Sequence, residues 1–495
     1  MKILAATILF WVLASSAYAQ QAVLEYAYSE PFIENADHSQ FFKEFTRLLG
    51  TDLEQAAELA YESSNKILAS DEHATNPALA GQMLSNAAIA DAAQGRYQRA
   101  SERFDRALRL IELEYQVFSP ELMNVLLASG ITAIHLGKLR DAEDKFRWVQ
   151  HIQHRDFGVF TIEQTKSIDW LTRLHLTENQ FENADTAQRF GLRIAKYNYE
   201  HGSDLLSDAT LKAANYFAER GSKLPFGVEE NYLLSRENMF REAVTLFNTA
   251  ISSIESAYGK DNPRLIEPLR SFARARTTQR TSARSAIPLL ERVLAIIAEQ
   301  ADVDPIDHVR AWVELGDIYI ITGGNKASAA YARAWELLET LPGSIEETGR
   351  LFAEPKLLYP RNLGMIYLEK RPEAAGPEAK EFYADVSYVI NVKGRVSDIK
   401  VGDKNVPNSS MRILKNVLHN SRFRPSLVDG IPQQFSMSER RPFGVSMANE
   451  ELNGTIPAEQ NTESAVEQDE QAPALNTIEP AISETPEPAP VESAM

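Results

Sequence analysis

From residue 95 to residue 341 the chain repeats itself about every 42 residues, and that period constrains the fold more than any other feature of the sequence. Gly95-Arg96-Tyr97 is followed by Ala100, Phe104 and Ala107, Gly137-Lys138-Leu139 by Ala142 and Phe146, and Asn179-Gln180-Phe181 by Ala184 and Ala187. Ala100, Ala142 and Ala184 stand 42 residues apart; Ala243, Ala286 and Ala327 continue the series at intervals of 43 and 41. Small and aromatic residues at i and i+4 share one helix face. Each unit therefore predicts two amphipathic helices joined by a short polar turn. The alanine lets the partner helix approach, and the ring fills the gap beside it. One such hairpin cannot bury its apolar face alone, whereas stacked hairpins share a continuous core.

Trp312-Val313-Glu314-Leu315-Gly316-Asp317-Ile318-Tyr319 fits the W-x2-L-G-x2-Y pattern of a first repeat helix. With it, the array resembles tetratricopeptide repeats, in the longer-helix variety of kinesin light chain. The linkers Phe118-Ser119-Pro120-Glu121-Leu122 and Tyr258-Gly259-Lys260-Asp261-Asn262-Pro263 are similar to that variety's connections. The resemblance covers residues 76–342, after N-terminal helices and a degenerate unit within residues 20–75 (a helix over 52–68 with a partner over 38–49). Residues 221–232 break the rhythm and are expected to form an inserted loop. Gly130 and Gly316 keep the first-helix glycine; Ala88, Thr172 and Ala273 stand at or near that place elsewhere. The resemblance implies a concave groove, lined by first-helix side chains, that holds peptides or partner proteins. Asn86, Asn124, Lys166, Arg173 and Asp317 are the candidate liners; read otherwise, they are solvated surface.

Near residue 384 the period changes from helical to two-fold. Ala384, Val386, Tyr388, Ile390 and Val392 point one way and their neighbours the other, which predicts a half-buried strand. Lys393-Gly394 supplies a tight turn into a second strand over 395–401. Ser409-Ser410 is expected to cap a helix with the apolar face Met411, Leu414, Val417 and Leu418. Strands over 423–427 and 433–438 follow, with Asp429-Gly430 as the turn between them. The fold class expected is mainly α: a tetratricopeptide α-solenoid, then a small α+β domain in the order ββαββ.

That order, with Lys393-Gly394-Arg395-Val396-Ser397-Asp398, Phe423-Arg424-Pro425, Asp429-Gly430-Ile431-Pro432 and an upstream Tyr359-Pro360 with Gly364, resembles the C-terminal domain of TonB-type energy transducers over residues 355–445. The resemblance implies a sheet edge that adds a short segment of an outer-membrane receptor as an extra strand. Phe435 and Met437 on the last strand are the candidate edge residues. Their alternation reads equally as burial beneath the helix.

The two ends differ from the middle. Residues 1–19 resemble a cleavable export signal: Lys2, an uncharged apolar run over 3–14, then Ala17-Tyr18-Ala19 before Gln20. An exported, periplasmic protein with no membrane span after cleavage is expected; retention of the leader as an anchor is the alternative. Residues 446–495 carry eleven acidic residues, no Lys or Arg, six prolines and no aromatic, and are expected to be disordered. Of the net charge of −18, the rest of the chain carries −7, which argues against a nucleic-acid binder. With no cysteine, thiolate chemistry and Cys-ligated metals are excluded. His151 and His154 lie i, i+3 without a third ligand at a recognisable spacing, and no phosphate loop, dinucleotide loop or nucleophile elbow occurs. No catalytic residue, metal or cofactor is expected. The function expected is non-enzymatic: an adaptor binding other proteins, including outer-membrane transport or envelope components. A membrane-anchored energy transducer and an envelope enzyme with a site assembled from distant residues remain the alternatives.

Overall fold

The computed structural model describes residues 21–33, 36–70, 76–223, 232–278, 282–300, 303–360, 366–368 and 381–445. The leader, the acidic tail, Gly364 and most of the expected inserted loop lie outside the described residues. Among the described residues, the turns read at Gly95, Gly137 and Asn179 close their hairpins. Gly95 and Gly137 take positive φ values of 78° and 71°, a left-handed conformation that glycine adopts without strain. In the third repeat Asn179 holds that conformation, with φ 59°. The hairpins so formed are α1 Ala36–Leu49 with α2 Leu53–Leu68, α3 Pro77–Ala93 with α4 Tyr97–Glu112, α5 Met123–His135 with α6 Leu139–Phe157, and α7 Gln164–Thr177 with α8 Phe181–Asn198. They continue as α9 Asp204–Lys223 with α10 Tyr232–Tyr258, α11 Ile266–Thr277 with α12 Ile287–Ala298, and α13 Pro305–Thr322 with α14 Ala327–Glu339; α15 Ser344–Phe352 packs beside α14. Residues 221–223, read as the start of a loop, are the last turn of α9.

Helix starts follow local chemistry. The Asn76 side chain accepts from the Leu79 amide at 3.2 Å, with Pro77 in the first turn; Asp304 accepts from the Ile306 amide at 3.0 Å, followed by Pro305.

Within a hairpin, a ring of the second helix rests on a bare spot of the first. A Cβ added at Gly130 would come within 2.6 Å of the Phe146 ring, and one added at Gly316 would overlap the Tyr331 ring. Ala88 and Phe104, sixteen residues apart like Gly130 and Phe146, are both fully buried. The third repeat departs from this rule. Thr172 and Gln188, at the same spacing, form a buried hydrogen bond of 3.0 Å. Beside them Tyr216 donates to Asp185 at 2.6 Å, and Arg220 lies 3.4 Å from the same carboxylate. This polar seam falls between the two large apolar clusters of the solenoid, one ending at Leu174 and the other beginning at Ala213.

The C-terminal module is built on one four-stranded sheet. Its strands are β2 Ile366–Leu368, β3 Phe382–Ile390, β4 Val396–Lys404 and β8 Phe435–Val445, in spatial order β2-β8-β3-β4. Strand β3 pairs antiparallel with both β4 and β8, the latter over its whole length (Phe382 opposite Phe443, Ile390 opposite Phe435). The two-fold pattern is real burial: Ala384, Val386, Tyr388 and Ile390 all face the core, although Val392 lies past the strand end and is 47% exposed. Helix α16 Asn408–Asn420 covers this face through Met411, Leu414 and Leu418. Its start differs from the expectation. It begins at Asn408 behind Pro407 with no side-chain cap, and Ser410 is buried in its first turn. The strand read over 423–427 is interrupted at Pro425, which lacks the N–H a ladder needs. It becomes β5 Arg422–Arg424, paired with β1 Lys356–Tyr359, and β6 Ser426–Val428, paired with β7 Ile431–Gln433. The fold class is thus a helical-hairpin solenoid followed by a small α+β domain.

Candidate functional site

The first helices α3, α5 and α7 carry a strip of side chains that grips the chain's own residues 22–32. These residues form a 3₁₀ turn over Val23–Tyr26 and then run extended, antiparallel to α3. Asn86 is fully buried. Its Oδ1 accepts from the Tyr28 amide at 2.8 Å, and its Nδ2 donates to the Tyr28 carbonyl at 2.9 Å. One helical turn earlier, the Gln82 Oε1 accepts from the Phe32 amide at 3.0 Å and its Nε2 donates to the Glu30 carbonyl at 3.1 Å. Two carboxamides spaced i, i+4 thereby read four main-chain groups of residues 28–32.

Side chains of the segment fill the spaces between repeats. Tyr26 and Tyr28 are buried; the Tyr28 hydroxyl donates to the Glu121 carbonyl at 2.8 Å, and Trp170 Nε1 donates to the Tyr26 oxygen at 3.1 Å. Burial raises the pKa of both phenols, so neither ionises in the groove. Lys166 pairs with Glu25 at 3.4 Å and lies over the Tyr26 ring.

At the far end, α13 holds the C-terminal module. Arg424 donates to Asp317 through Nε (2.8 Å) and Nη2 (2.6 Å), and through Nη1 to the Leu351 carbonyl at 3.0 Å. Tyr331 donates its hydroxyl to the same Asp317 oxygen at 2.8 Å. The pair is buried, with Arg424 4% and Asp317 15% exposed at their side chains. Burial alone would lower the Arg424 pKa; the Asp317 charge and hydrogen bonds more than offset it, and the guanidinium ends above its ordinary value. The module's two glycine turns press on the same repeat. A Cβ at Gly394 would overlap the Phe423 carbonyl and reach Ile320 of α13 at 3.1 Å; one at Gly430 would reach Trp335 of α14 at 3.1 Å.

Of the candidate groove liners, then, Asn86 and Lys166 hold the N-terminal segment and Asp317 holds the module. Arg173 is exposed, its guanidinium over the Trp170 ring at 5.1 Å, and Asn124 is half-buried in the first turn of α5. Phe435 and Met437 stand opposite Ile390 and Tyr388, on the face that α16 covers, and are half-buried there; Met437 packs against the module core. Strand β8 pairs with β2 only at Phe443–Val445, and among the described residues no strand lines the rest of that edge. Between the occupied ends lie α9 and α11. On α11 the buried Arg270 forms a fork onto Glu314 of α13 (3.0 and 3.1 Å) and donates to Asp307 at 3.0 Å.

Sequence reasoning missed Gln82, Trp170, Arg270 and Arg424 as contact residues. The i, i+4 carboxamide pair Gln82/Asn86 inside an otherwise apolar helix is the one signal that would have found part of this site. His151 stands edge-on to Phe118, and His154 Nε2 lies 2.6 Å from Gln164 Oε1. Among the described residues no group of three or more His, Cys, Asp or Glu is placed to hold a metal ion, and no helix is long and apolar enough to cross a membrane.

No protein-family model and no curated protein matches the chain. Solved structures that are similar include nearly identical TPR-like repeats from Podosopora anserina, described as those of a kinesin light chain. They are 15% identical over 46% of this chain and 99% of that one, with a TM-score of 0.37. BtubC (BKLC) from P. vanneervenii is 16% identical over 58% of this chain and 91% of that one, with a TM-score of 0.28. At these scores the likeness says nothing about a ligand.

Proposed function

We propose that the protein is a non-enzymatic adaptor of the cell envelope, exported to the periplasm, whose solenoid and C-terminal module each hold another polypeptide. The observation that carries this reading is the first-helix strip itself: buried amides of α3 grip an extended main chain, which is chemistry for holding polypeptide rather than for breaking bonds. The module's share rests on β8, whose edge from Phe435 to Pro442 has no described strand beside it and offers backbone groups to a partner strand, in the manner of the TonB-type domains it resembles. Outer-membrane transport components are the partners this resemblance favours.

The test is site-specific photocrosslinking in whole cells from Ser438, which is exposed on β8. Crosslinks to one discrete envelope protein, abolished when a proline replaces a residue in the partner's crosslinked segment, support strand addition. Crosslinks confined to the chain itself overturn it. N-terminal sequencing of the cellular protein decides between the exported adaptor, which starts at Gln20, and a transducer that keeps its leader as an anchor.

A further inference from the structure

The segment over residues 22–32 is held in the way a ligand is held. It adds no strand to a sheet and no helix to a hairpin, and its first-helix contacts span three repeats to which it is not adjacent in sequence. The hydrogen bonds described for Gln82 and Asn86 all go to its main chain. Buried carboxamides in a helix interior are costly unless partnered, so this face of α3 is built for an extended backbone in that position. Main-chain recognition sets the register without choosing a sequence. The choice comes from Glu25 against Lys166, Tyr26 accepting from Trp170 Nε1, Tyr28 reaching the Glu121 carbonyl, and Phe32 edge-on to Tyr28 and Tyr115 at 5.2 and 5.3 Å.

We propose that residues 22–32 are a built-in ligand of this groove, and that its external ligand is a polypeptide that enters as one turn followed by an open chain, with an acidic residue and aromatics in the spacing of Glu25-Tyr26-x-Tyr28-x3-Phe32. The inference rests on the adaptor reading and names the occupant of its solenoid surface. Tethering gives the internal segment an effective concentration on the order of millimolar, so an external chain enters when it binds more tightly or when the tether is cut.

The experiment uses the full chain with a protease site inserted between Asn35 and Ala36, and a fluorescein-labelled peptide of residues 21–33 as probe. After cleavage the labelled peptide binds at least about 10-fold more tightly than to the uncleaved chain, because it no longer competes with a tethered copy. Peptides carrying Tyr26→Ala or Tyr28→Ala lose at least about 10-fold, a readout that leaves the protein itself unaltered. In the uncleaved chain the Tyr28 and Phe32 amides exchange with solvent faster than the core amides of α3, because the segment opens without unfolding the helix. Equal binding before and after cleavage, indifference to both tyrosine substitutions, or exchange at Tyr28 as slow as in α3 would overturn the proposal. A partner crosslinked from β8 while the probe fails to enter removes only the role of this segment; failure of both removes the adaptor reading as well.

Discussion

The two ends of the solenoid solve the same problem with opposite chemistry. At the N-terminal end, neutral amides of Asn86 and Gln82 bind the main chain of residues 28–32. At the C-terminal end, one buried charge pair, Arg424 with Asp317, is completed by Tyr331 and the Leu351 carbonyl. A neutral hydrogen bond contributes about 1 kcal/mol net, and water in the open groove replaces it. A buried charge that loses its partner has no such replacement and costs about 3–5 kcal/mol. The first arrangement tolerates release of its occupant; the second fastens the module to the last repeat.

Arg424→Ala strips Asp317 of its buried partner and is expected to destabilise the module–solenoid junction by about 3–5 kcal/mol. Urea melts should then show the module separating from the solenoid in its own transition. A single unshifted transition would place the strength of the junction elsewhere, and the double variant with Asp317→Ala should recover part of the loss.

Gly316→Ala pushes a methyl group into the Tyr331 ring, the same ring that supports Asp317. Overpacking costs of about 1–3 kcal/mol are expected, falling when Tyr331→Leu makes room. Gly130→Ala against Phe146 should cost a similar amount in the N-terminal repeats while leaving the module junction intact. Thermal melts combined with protease cutting between solenoid and module separate the two cases.

Asn86→Ala leaves the Tyr28 amide and carbonyl without their partner, a cost of about 1–3 kcal/mol if both stay buried. The expectation is smaller in the global melt, because the segment can lift off. Hydrogen exchange should rise at Tyr28 and remain unchanged in α4. Equal destabilisation of the whole solenoid would erase the contrast between the two ends.

The smallest effect belongs to Arg440 and Asp385, an exposed pair across β3 and β8 with an N–O distance of 2.7 Å. Screened by water, such pairs contribute little, and Arg440→Gln should leave Tm unchanged within error.

The hairpins were legible because burial imposes a period. A small residue faces a ring at Gly130 and Gly316, and Gly95 and Gly137 stand where the chain reverses. The β3 strand was legible for the same reason at period two. The third repeat was less so: Thr172 and Gln188 break the small–aromatic rule, and only their contact shows that a hydrogen bond substitutes for it. The start of α16 was misread because Ser409-Ser410 looks like a cap, whereas the helix already starts at Asn408, directly after the extended Pro407. Asp317 was named as a liner of an open groove; its partner, 107 residues away, could not be inferred from spacing.

The sequence by itself determined the periods, and through them the elements, because one-dimensional apolar spacing records which face of each element leaves water. Tertiary structure alone decided what lies on the first-helix face. Asn86 and Arg424 meet partners 58 and 107 residues distant, and nothing periodic marks a polar group whose mate is supplied by another part of the fold.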